Sequence, residues 1–330
     1  MKRQTFLHTA AAAALVACML PAAAQQAPSA SAIAAYPSRP IRIVVGYAPG
    51  GANDILARIV AQKMQEALGH EVVVENKPST GAIVGSVAVA NAAPDGYTLL
   101  MGASGPIVFN PALYRKLPYN PVKDLAPVSI VGTFPLVLSV AANAPFHNVA
   151  ELAAYTRAHV EQSNYGASSA SFQLATELLK SKTGIRAEHI PYKGSMESVN
   201  GVASGQLTMT LVDSGPAVGA IKGGLMKGLA VTSPQRIAAL PDVPTMAEQG
   251  VDLNIQLWSG LLAPAGTPRP VIDRIAAEVQ RIVKLPDVRA RMAALAIDPA
   301  GSSPEEFAKV IASEIPLWTG VARANNIHAD

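Results

Sequence analysis

The chain has little of three things that particular classes of protein need. Its 330 residues include one cysteine, aromatic residues make up 5% of them, and 26 basic residues stand against 23 acidic ones. A single cysteine excludes a disulfide framework, and so few aromatic rings leave little for stacking on nucleic-acid bases. A formal net charge of +3 also falls short of the concentrated basic face that nucleic acid needs. We expect no nucleic-acid partner.

Apolar residues, in contrast, are abundant. The chain is 50% hydrophobic, and 330 residues are enough for two domains of ordinary size, each with its own core. The sequence therefore indicates a folded protein rather than a disordered one.

The first 24 residues have the layout of an export signal. Lys2 and Arg3 supply a charged start, residues 10–20 an apolar middle, and residues 22–24 a small-residue cleavage site. The apolar stretch is too short to span a bilayer comfortably. We predict a cleaved signal peptide over residues 1–24 and hence a periplasmic protein.

A second interpretation of this segment remains open. The only cysteine, Cys18, ends a Leu-Val-Ala-Cys sequence that resembles the lipobox of bacterial lipoproteins. If cleavage follows Ala24 instead, the remaining chain has no thiol. Residues 25–36 show no periodicity and predict a flexible leader.

The stretch over residues 41–68 predicts a strand, a glycine turn and a helix. Residues 41–45 are mostly β-branched and apolar, as in a strand buried on both faces. Pro49, Gly50 and Gly51 stop the strand, and apolar residues then recur at helical spacing. A helix that begins in a glycine turn presents unpaired N–H groups and the positive end of its dipole. We expect this turn to hold an anion, although many α/β proteins place glycine there for structural reasons alone.

The remaining chain predicts further strands and helices in alternation. Alternation at this spacing is typical of a mainly parallel sheet with helices on its faces, so the predicted fold class is α/β. We predict strands at 71–75, 97–101, 128–131, 136–140, 164–166, 189–190, 207–212, 228–232 and 257–262, and helices at 81–92, 148–160, 171–182, 195–204, after Ser214, at 270–284 and at 303–315.

The order of these elements predicts two α/β lobes joined by a hinge. We expect one lobe to comprise residues 37–134 plus 256–330 and the other to comprise residues 135–255. A chain that leaves its first lobe and returns must cross between the lobes twice, and paired crossings make a hinge. The cleft between two such lobes is a usual place for a ligand.

The second lobe repeats the strand, turn and helix. Residues 165–167 end a strand, and Ser168, Ser169 and Ser171 follow at the start of a helix. Two helix N-termini, one from each lobe, would hold one anion-bearing solute, and the serine hydroxyls would add hydrogen bonds. The alternative is that these serines only cap the helix.

Three further segments lie at the ends of predicted strands, and the first of them is expected at the same edge of the sheet as the glycine turn, where the ligands of α/β proteins collect. Ala103, Ser104 and Gly105 follow the strand that ends at Met101. Lys193 would supply a positive charge, unless it is an ordinary surface lysine. Asp213 either caps the next helix or faces the cleft, and the sequence favours neither.

The sequence contains no complete catalytic motif of the common enzyme classes. Residues 166–170 approach the G-x-S-x-G nucleophile motif, but the last residue is Ala170, and His328 is the only histidine after Asp213. The other histidines show no zinc-site spacing, and no nucleotide-binding glycine motif occurs. We predict no catalytic residue, no cofactor and no metal, and a secreted serine hydrolase using Ser168 remains the alternative.

A set of ordered motifs resembles the Bug family, the extracytoplasmic solute-binding receptors of tripartite tricarboxylate transporters. The match runs from about Tyr36 to the end of the chain. The motifs are Tyr36-Pro37-Ser38-Arg39-Pro40, Pro49-Gly50-Gly51-x-x-Asp54, Glu75-Asn76-Lys77-Pro78, Pro94-Asp95-Gly96-Tyr97-Thr98-Leu99-Leu100, Asn110-Pro111-x-Leu113-Tyr114, Pro191-Tyr192-Lys193-Gly194, Leu240-Pro241-Asp242-Val243-Pro244-Thr245 and Ala263-Pro264-Ala265-Gly266-Thr267-Pro268.

The resemblance implies a type II periplasmic binding-protein fold whose two lobes close over a small organic acid. It further implies that the loop over residues 47–54 holds a ligand carboxylate through backbone groups and bridging waters, and that three other segments complete the pocket. With the residues derived above, the predicted ligand-binding set is Tyr47, Ala48, Pro49, Gly50, Gly51, Asp54, Ala103, Ser104, Gly105, Ser168, Ser169, Ser171, Gln173, Lys193 and Asp213.

Two departures from the family pattern bear on which acid is bound. Members often carry a glycine-rich serine loop followed by histidine, whereas this chain has Ala167, Ala170 and then Gln173. Where Pro-Gly-Ala-Gly-Gly is common, residues 78–82 read Pro-Ser-Thr-Gly-Ala. The scarcity of arginine at the predicted loops disfavours a tricarboxylate.

The resemblance also implies partners. We expect a monomer that binds a small carboxylate and delivers it to membrane transporter subunits. A receptor that signals to a membrane sensor would have the same pocket, and the sequence does not separate the two.

Overall fold

A computed structural model describes residues 36–328, so the predicted signal peptide and most of the leader lie outside the described residues. Strands and helices alternate along this part of the chain. The strands are β1 (Ile41–Val45), β2 (Val72–Asn76), β3 (Thr98–Ala103), β4 (Leu125–Ala141), β5 (Asn164–Ala167), β6 (Glu188–Pro191), β7 (Met209–Asp213), β8 (Met226–Val231), β9 (Gln256–Pro264) and β10 (Asp298–Pro299).

The α-helices mostly follow strands, as in other α/β folds. They are α1 (Ala52–Leu68), α2 (Ile83–Ala90), α3 (Asn110–Leu113), α4 (Val149–Ala158), α5 (Ala170–Thr183), α6 (Ser195–Ala203), α7 (Ser214–Lys222), α8 (Arg269–Ile282), α9 (Pro286–Ala293) and α10 (Pro304–Ala324). Short 3₁₀ turns lie at Thr80–Ala82, Val160–Gln162 and Ala247–Gln249, and a π-helical turn at Gly105–Phe109.

The first helix illustrates how local sequence sets these boundaries. Its start follows the extended Gly51, and its buried face carries apolar residues at helical spacing. Its end is fixed by Gly69, whose φ of 69° is left-handed and whose amide bonds back to Gln65. Local signals of this kind explain why most predicted elements lie within two residues of the observed ones.

The sheet divides into two parallel groups joined by antiparallel strands. Its order is β2-β1-β3-β9-β4-β7-β5-β6, with β8 and β10 also paired to β4. The strand β1 is parallel to β2 and β3, and β5 is parallel to β6 and β7. The prediction of a mainly parallel sheet is therefore wrong for its middle, where β4 and β9 run antiparallel to their neighbours because the chain crosses between the lobes in opposite directions.

The strand β4 replaces two predicted strands with one. It pairs with β9 as far as Pro135 and with β7 and β8 from Leu136 onward. Pro135, which lacks an N–H, sits where the strand changes partners. This two-lobed α/β architecture is that of the predicted fold class. The exact lobe extents, 37–134 plus 256–330 and 135–255, stay a prediction.

The C-terminal region departs most from the predicted elements. The helix α9 was not predicted, and α10 continues through Pro316 to Ala324 instead of ending at 315. A capping box formed by Ser303 and Glu306 starts α10. Its later turns are held by packing, because the Trp318 ring lies 4.5 Å from that of Phe109. Tertiary contact thus compensates for the proline.

Candidate functional site

A small cavity of about 20 Å³ lies between the lobes, at the edge where β1, β3, β5 and β7 end. Hydroxyls and apolar side chains dominate its wall, and within residues 36–328 no arginine, lysine or histidine lines it. The lining residues are Tyr47, Gly51, Ala52, Asn53, Ala103, Ser104, Phe134, Ser168, Ser169, Ser171, Phe172, Ser195, Asp213 and Leu257.

The loop from β1 to α1 is held in shape by Asp54, which faces away from the cavity. Its carboxylate accepts hydrogen bonds from the Gly50 amide at 3.0 Å, from Arg58 at 2.9 and 3.0 Å and from Asn76 at 3.0 Å. Burial alone would raise the pKa of this carboxyl, but these bonds lower it below its ordinary value. Asp54 therefore organises the loop.

Gly50 and Gly51 shape the same turn in two different ways. Gly50 has a φ of 94°, and a Cβ there would lie 2.8 Å from Cγ of Met196. Gly51 is the N-cap of α1 and offers no side-chain cap, so the first amides of the helix are left for other groups.

Asp213 is the group that meets this helix end. It is 2% exposed, and its Oδ2 accepts a hydrogen bond from the Ala52 amide at 2.6 Å. Its Oδ1 accepts another from the Ser195 hydroxyl. Burial raises the pKa of the Asp213 carboxyl, and the hydrogen bonds from Ser195 and Ala52 oppose that rise. Its side chain does not cap α7, so of the two predicted alternatives the structure places it in the cleft.

The start of α5 forms the opposite side of the cavity. The Ser169 hydroxyl caps this helix by accepting from the Phe172 amide at 3.3 Å, and it lies 2.8 Å from the Ser171 hydroxyl. The Tyr47 phenol, which belongs to the other lobe, also interacts with Ser169. Burial raises the pKa of Tyr47, so the phenol stays protonated.

Two serine hydroxyls on the cavity wall have no protein partner in the described part of the chain. Ser104 follows β3 and Ser168 follows β5, and each residue is 1% exposed. Neither Oγ makes a hydrogen bond there. Buried hydroxyls are normally satisfied, so this pair marks a place for an outside partner.

The structure brings eight of the fifteen predicted site residues to this wall. They are Tyr47, Gly51, Ala103, Ser104, Ser168, Ser169, Ser171 and Asp213. The other seven lie behind or beside it: Ala48, Pro49, Gly50, Asp54, Gly105, Gln173 and Lys193.

Two of those seven, Lys193 and Gln173, have side chains that do not line the cavity. Lys193 is exposed, and only its backbone reaches the first lobe, through a bond from the Ala48 amide to the Lys193 carbonyl at 3.1 Å. Gln173 points outward and donates to the His328 carbonyl at 3.3 Å. The wall thus has neither a lysine charge nor a glutamine amide.

Six residues that line the cavity were not among the predicted site residues. Ser195 had a detectable signal, because it begins the predicted helix after residues 192–194. Asn53 lies in the first turn of α1, and its Oδ1 accepts from the Ser259 hydroxyl at 2.7 Å. The others, Ala52, Phe134, Phe172 and Leu257, are apolar and carry no chemical signal in the sequence.

The described residues offer no metal site, since no group of three potential ligands comes together in residues 36–328. The same part of the chain contains no helix that is both long and apolar enough to cross a membrane.

Comparison with known proteins places the chain in a family. Residues 56–327 match the tripartite tricarboxylate transporter family receptor. The chain belongs to this family. The predicted resemblance to the Bug receptors is confirmed, and the chain is a solute-binding receptor of the tripartite transporter type.

Individual relatives of this receptor agree in sequence and in shape. It is 34% identical to BugT of Bordetella pertussis over 292 residues, which cover 87% of this chain and 90% of BugT. It superposes with a TM-score of 0.86 on an R. palustris protein solved with adipate, at 30% identity over 89% of this chain and 99% of the other. It also superposes with a TM-score of 0.83 on MatC of Rhodopseudomonas palustris with bound malate, at 30% identity over 87% of this chain and 99% of MatC.

Proposed function

We propose that this receptor binds a small organic acid by a carboxylate at the N-terminus of α5 and delivers it to transporter subunits in the membrane. The observation that carries the proposal is the pair of buried hydroxyls of Ser104 and Ser168. They come from opposite lobes and line one cavity. A carboxylate accepts hydrogen bonds from both, and bonds to an ionised acceptor are stronger than neutral ones.

The helix start beside Ser168 favours the same class of ligand. The first turn of α5 carries N–H groups and the positive end of the helix dipole, which attract an anion. No basic side chain is needed for such a site. The adipate and malate bound by the two structural relatives support a carboxylate as the ligand class.

The receptor carries out no chemistry on its solute in this proposal. A serine nucleophile needs a base within hydrogen-bonding reach, and the Ser168 Oγ has no partner in residues 36–328. We further propose that the chain is exported through its N-terminal segment and works as a periplasmic monomer.

Titration calorimetry with propionate, malate, adipate and citrate tests the proposal. We expect the wild type to bind at least one of these acids and Ser168→Ala to bind it about tenfold more weakly, since a hydrogen bond to a charged group is lost. Ser139→Ala is the matched control, because Ser139 is also buried and unpartnered in the described chain but is not on the wall. The proposal fails if none of the acids binds, or if Ser168→Ala binds as tightly as the control.

A further inference from the structure

The contact between Asp213 and Ala52 crosses the cleft. Asp213 ends β7 in the second lobe, and Ala52 is the first residue of α1 in the first lobe, 161 residues earlier. The distance of 2.6 Å between Oδ2 and the Ala52 nitrogen is short for an N–H···O hydrogen bond. One lobe thus supplies the acceptor and the other supplies the helix end that donates to it.

Ser195 fixes the direction of this carboxylate. It begins α6 in the same lobe as Asp213, and its hydroxyl donates to Oδ1. With Oδ1 held inside the second lobe, Oδ2 is left to face the first. A cation is not needed, and none lies on this wall within the described residues.

The lobes also touch beside this contact. The Ala48 amide donates to the Lys193 carbonyl at 3.1 Å, and a Cβ on Gly194 would come within 2.7 Å of the Ala48 Cβ. These contacts bring the loop before α1 against the loop before α6. Asp213 is the only acidic side chain in this set of contacts between the lobes.

We infer that Asp213 is an interlobe latch, whose carboxylate, positioned by Ser195, caps the N-terminus of α1 and holds the cleft closed over the solute. The latch exists only when the lobes meet, because opening the cleft separates Ala52 from Asp213. Asp213 thereby occupies the N-terminus of α1, which the sequence analysis had assigned to the anionic solute. The solute is then held at α5, where the Ser104 and Ser168 hydroxyls have no partner among residues 36–328.

Two variants remove the latch from opposite sides. Asp213→Ala removes the acceptor. Ala52→Pro removes the donor and leaves Asp213 in place. Proline suits the first position of a helix, and Gly51 has the extended conformation that a residue before proline prefers. Ser139→Ala serves again as the control.

The test combines small-angle scattering, with and without saturating adipate, and stopped-flow measurement of adipate release. We expect both variants to show a larger radius of gyration than the wild type in at least one condition, and adipate release about tenfold faster. Free energies of unfolding, measured alongside, separate a latch from a structural role, since a purely structural residue lowers stability without changing radius or release.

Equal radii in the wild type and both variants, under both conditions, would overturn the latch. So would a change in only one of the two variants, because both remove the same bond. The release measurement rests on the proposed function, whereas the scattering without adipate does not. A wild type that binds no acid therefore defeats the proposed function while the radii still decide the latch.

Discussion

The N-termini of α1 and α5 face the same cavity from opposite lobes, but different groups meet them. At α1 the Ala52 amide donates to the Asp213 carboxyl group, so the protein supplies its own acceptor. At α5 the cap is the neutral hydroxyl of Ser169, and the adjacent Ser168 hydroxyl has no partner in residues 36–328. In the function and the latch proposed above, the two similar strand-turn-helix units serve different purposes: one closes the cleft and the other receives the solute.

Placing a second acid at α5 makes the two ends alike and has the largest expected effect. In Ser168→Asp a carboxylate takes the place of the solute's, and burying two like charges together is costly. We expect the affinity for malate and adipate to fall by about a hundredfold or more relative to Ser168→Asn, which is similar in size but neutral. Calorimetry measures both. Equal affinities of the two variants would show that no solute carboxylate lies beside residue 168.

The two buried aspartates of the cleft region give the next contrast. Asp54 is bonded entirely within its own lobe, so we expect Asp54→Asn to lower the free energy of unfolding by about 2 kcal/mol at neutral pH. Because folding lowers its pKa, this contribution is fully present above about pH 4 and is lost as the pH falls through the folded pKa.

Urea unfolding at several pH values checks this prediction. The difference between wild type and Asp54→Asn should shrink on acidification. Asp273→Asn is the control, since Asp273 pairs with Arg269 in solvent and contributes little. A difference that stays constant down to the most acid condition would contradict the assigned pKa shift.

Adding a methyl group at Gly194, which contacts Ala48 beside the latch, is expected to weaken solute binding by a smaller amount. The Cβ of Gly194→Ala would lie 2.7 Å from the Ala48 Cβ, closer than two such atoms approach, so the lobes must part slightly. We expect adipate affinity about tenfold weaker with little loss of stability, because strain arises only on closure. Gly219→Ala, where a Cβ meets nothing within 4 Å, is the control. Unchanged affinity in Gly194→Ala would show that this contact is not part of the closed state.

The smallest expected effect is at Lys193. Its side chain is exposed and off the cavity wall, so Lys193→Ala should change acid affinity by no more than about twofold. Calorimetry at low and high salt checks this. A large, salt-sensitive loss of acid affinity in Lys193→Ala would show instead that Lys193 supplies a positive charge to the ligand, as the sequence suggested.

Local sequence predicted the ends of strands well, and with them much of the site. The junctions that follow β1, β3, β5 and β7 each combine an apolar run with turn or helix-start residues, which are short-range signals. Serines and an aspartate at those junctions therefore fall on one edge of the sheet. Their presence on the wall needed no knowledge of distant contacts.

Long-range pairing decided what the sequence did not predict. The predicted strands at 128–131 and 136–140 leave residues 132–135 between them, yet pairing with β9 and then with β7 and β8 makes β4 continuous. Similarly, the bond from Ala52 to Asp213 depends on how the lobes meet. The outward directions of Lys193 and Gln173 depend on packing as well.

A crystal structure of the receptor with adipate, or with the acid of the panel that binds most tightly, tests the central claim most directly. We predict a solute carboxylate within hydrogen-bonding distance of the Ser104 and Ser168 hydroxyls at the start of α5, with Asp213 still accepting from the Ala52 amide. A solute carboxylate bound to the Ala52 amide, with Asp213 displaced from α1, would contradict the account.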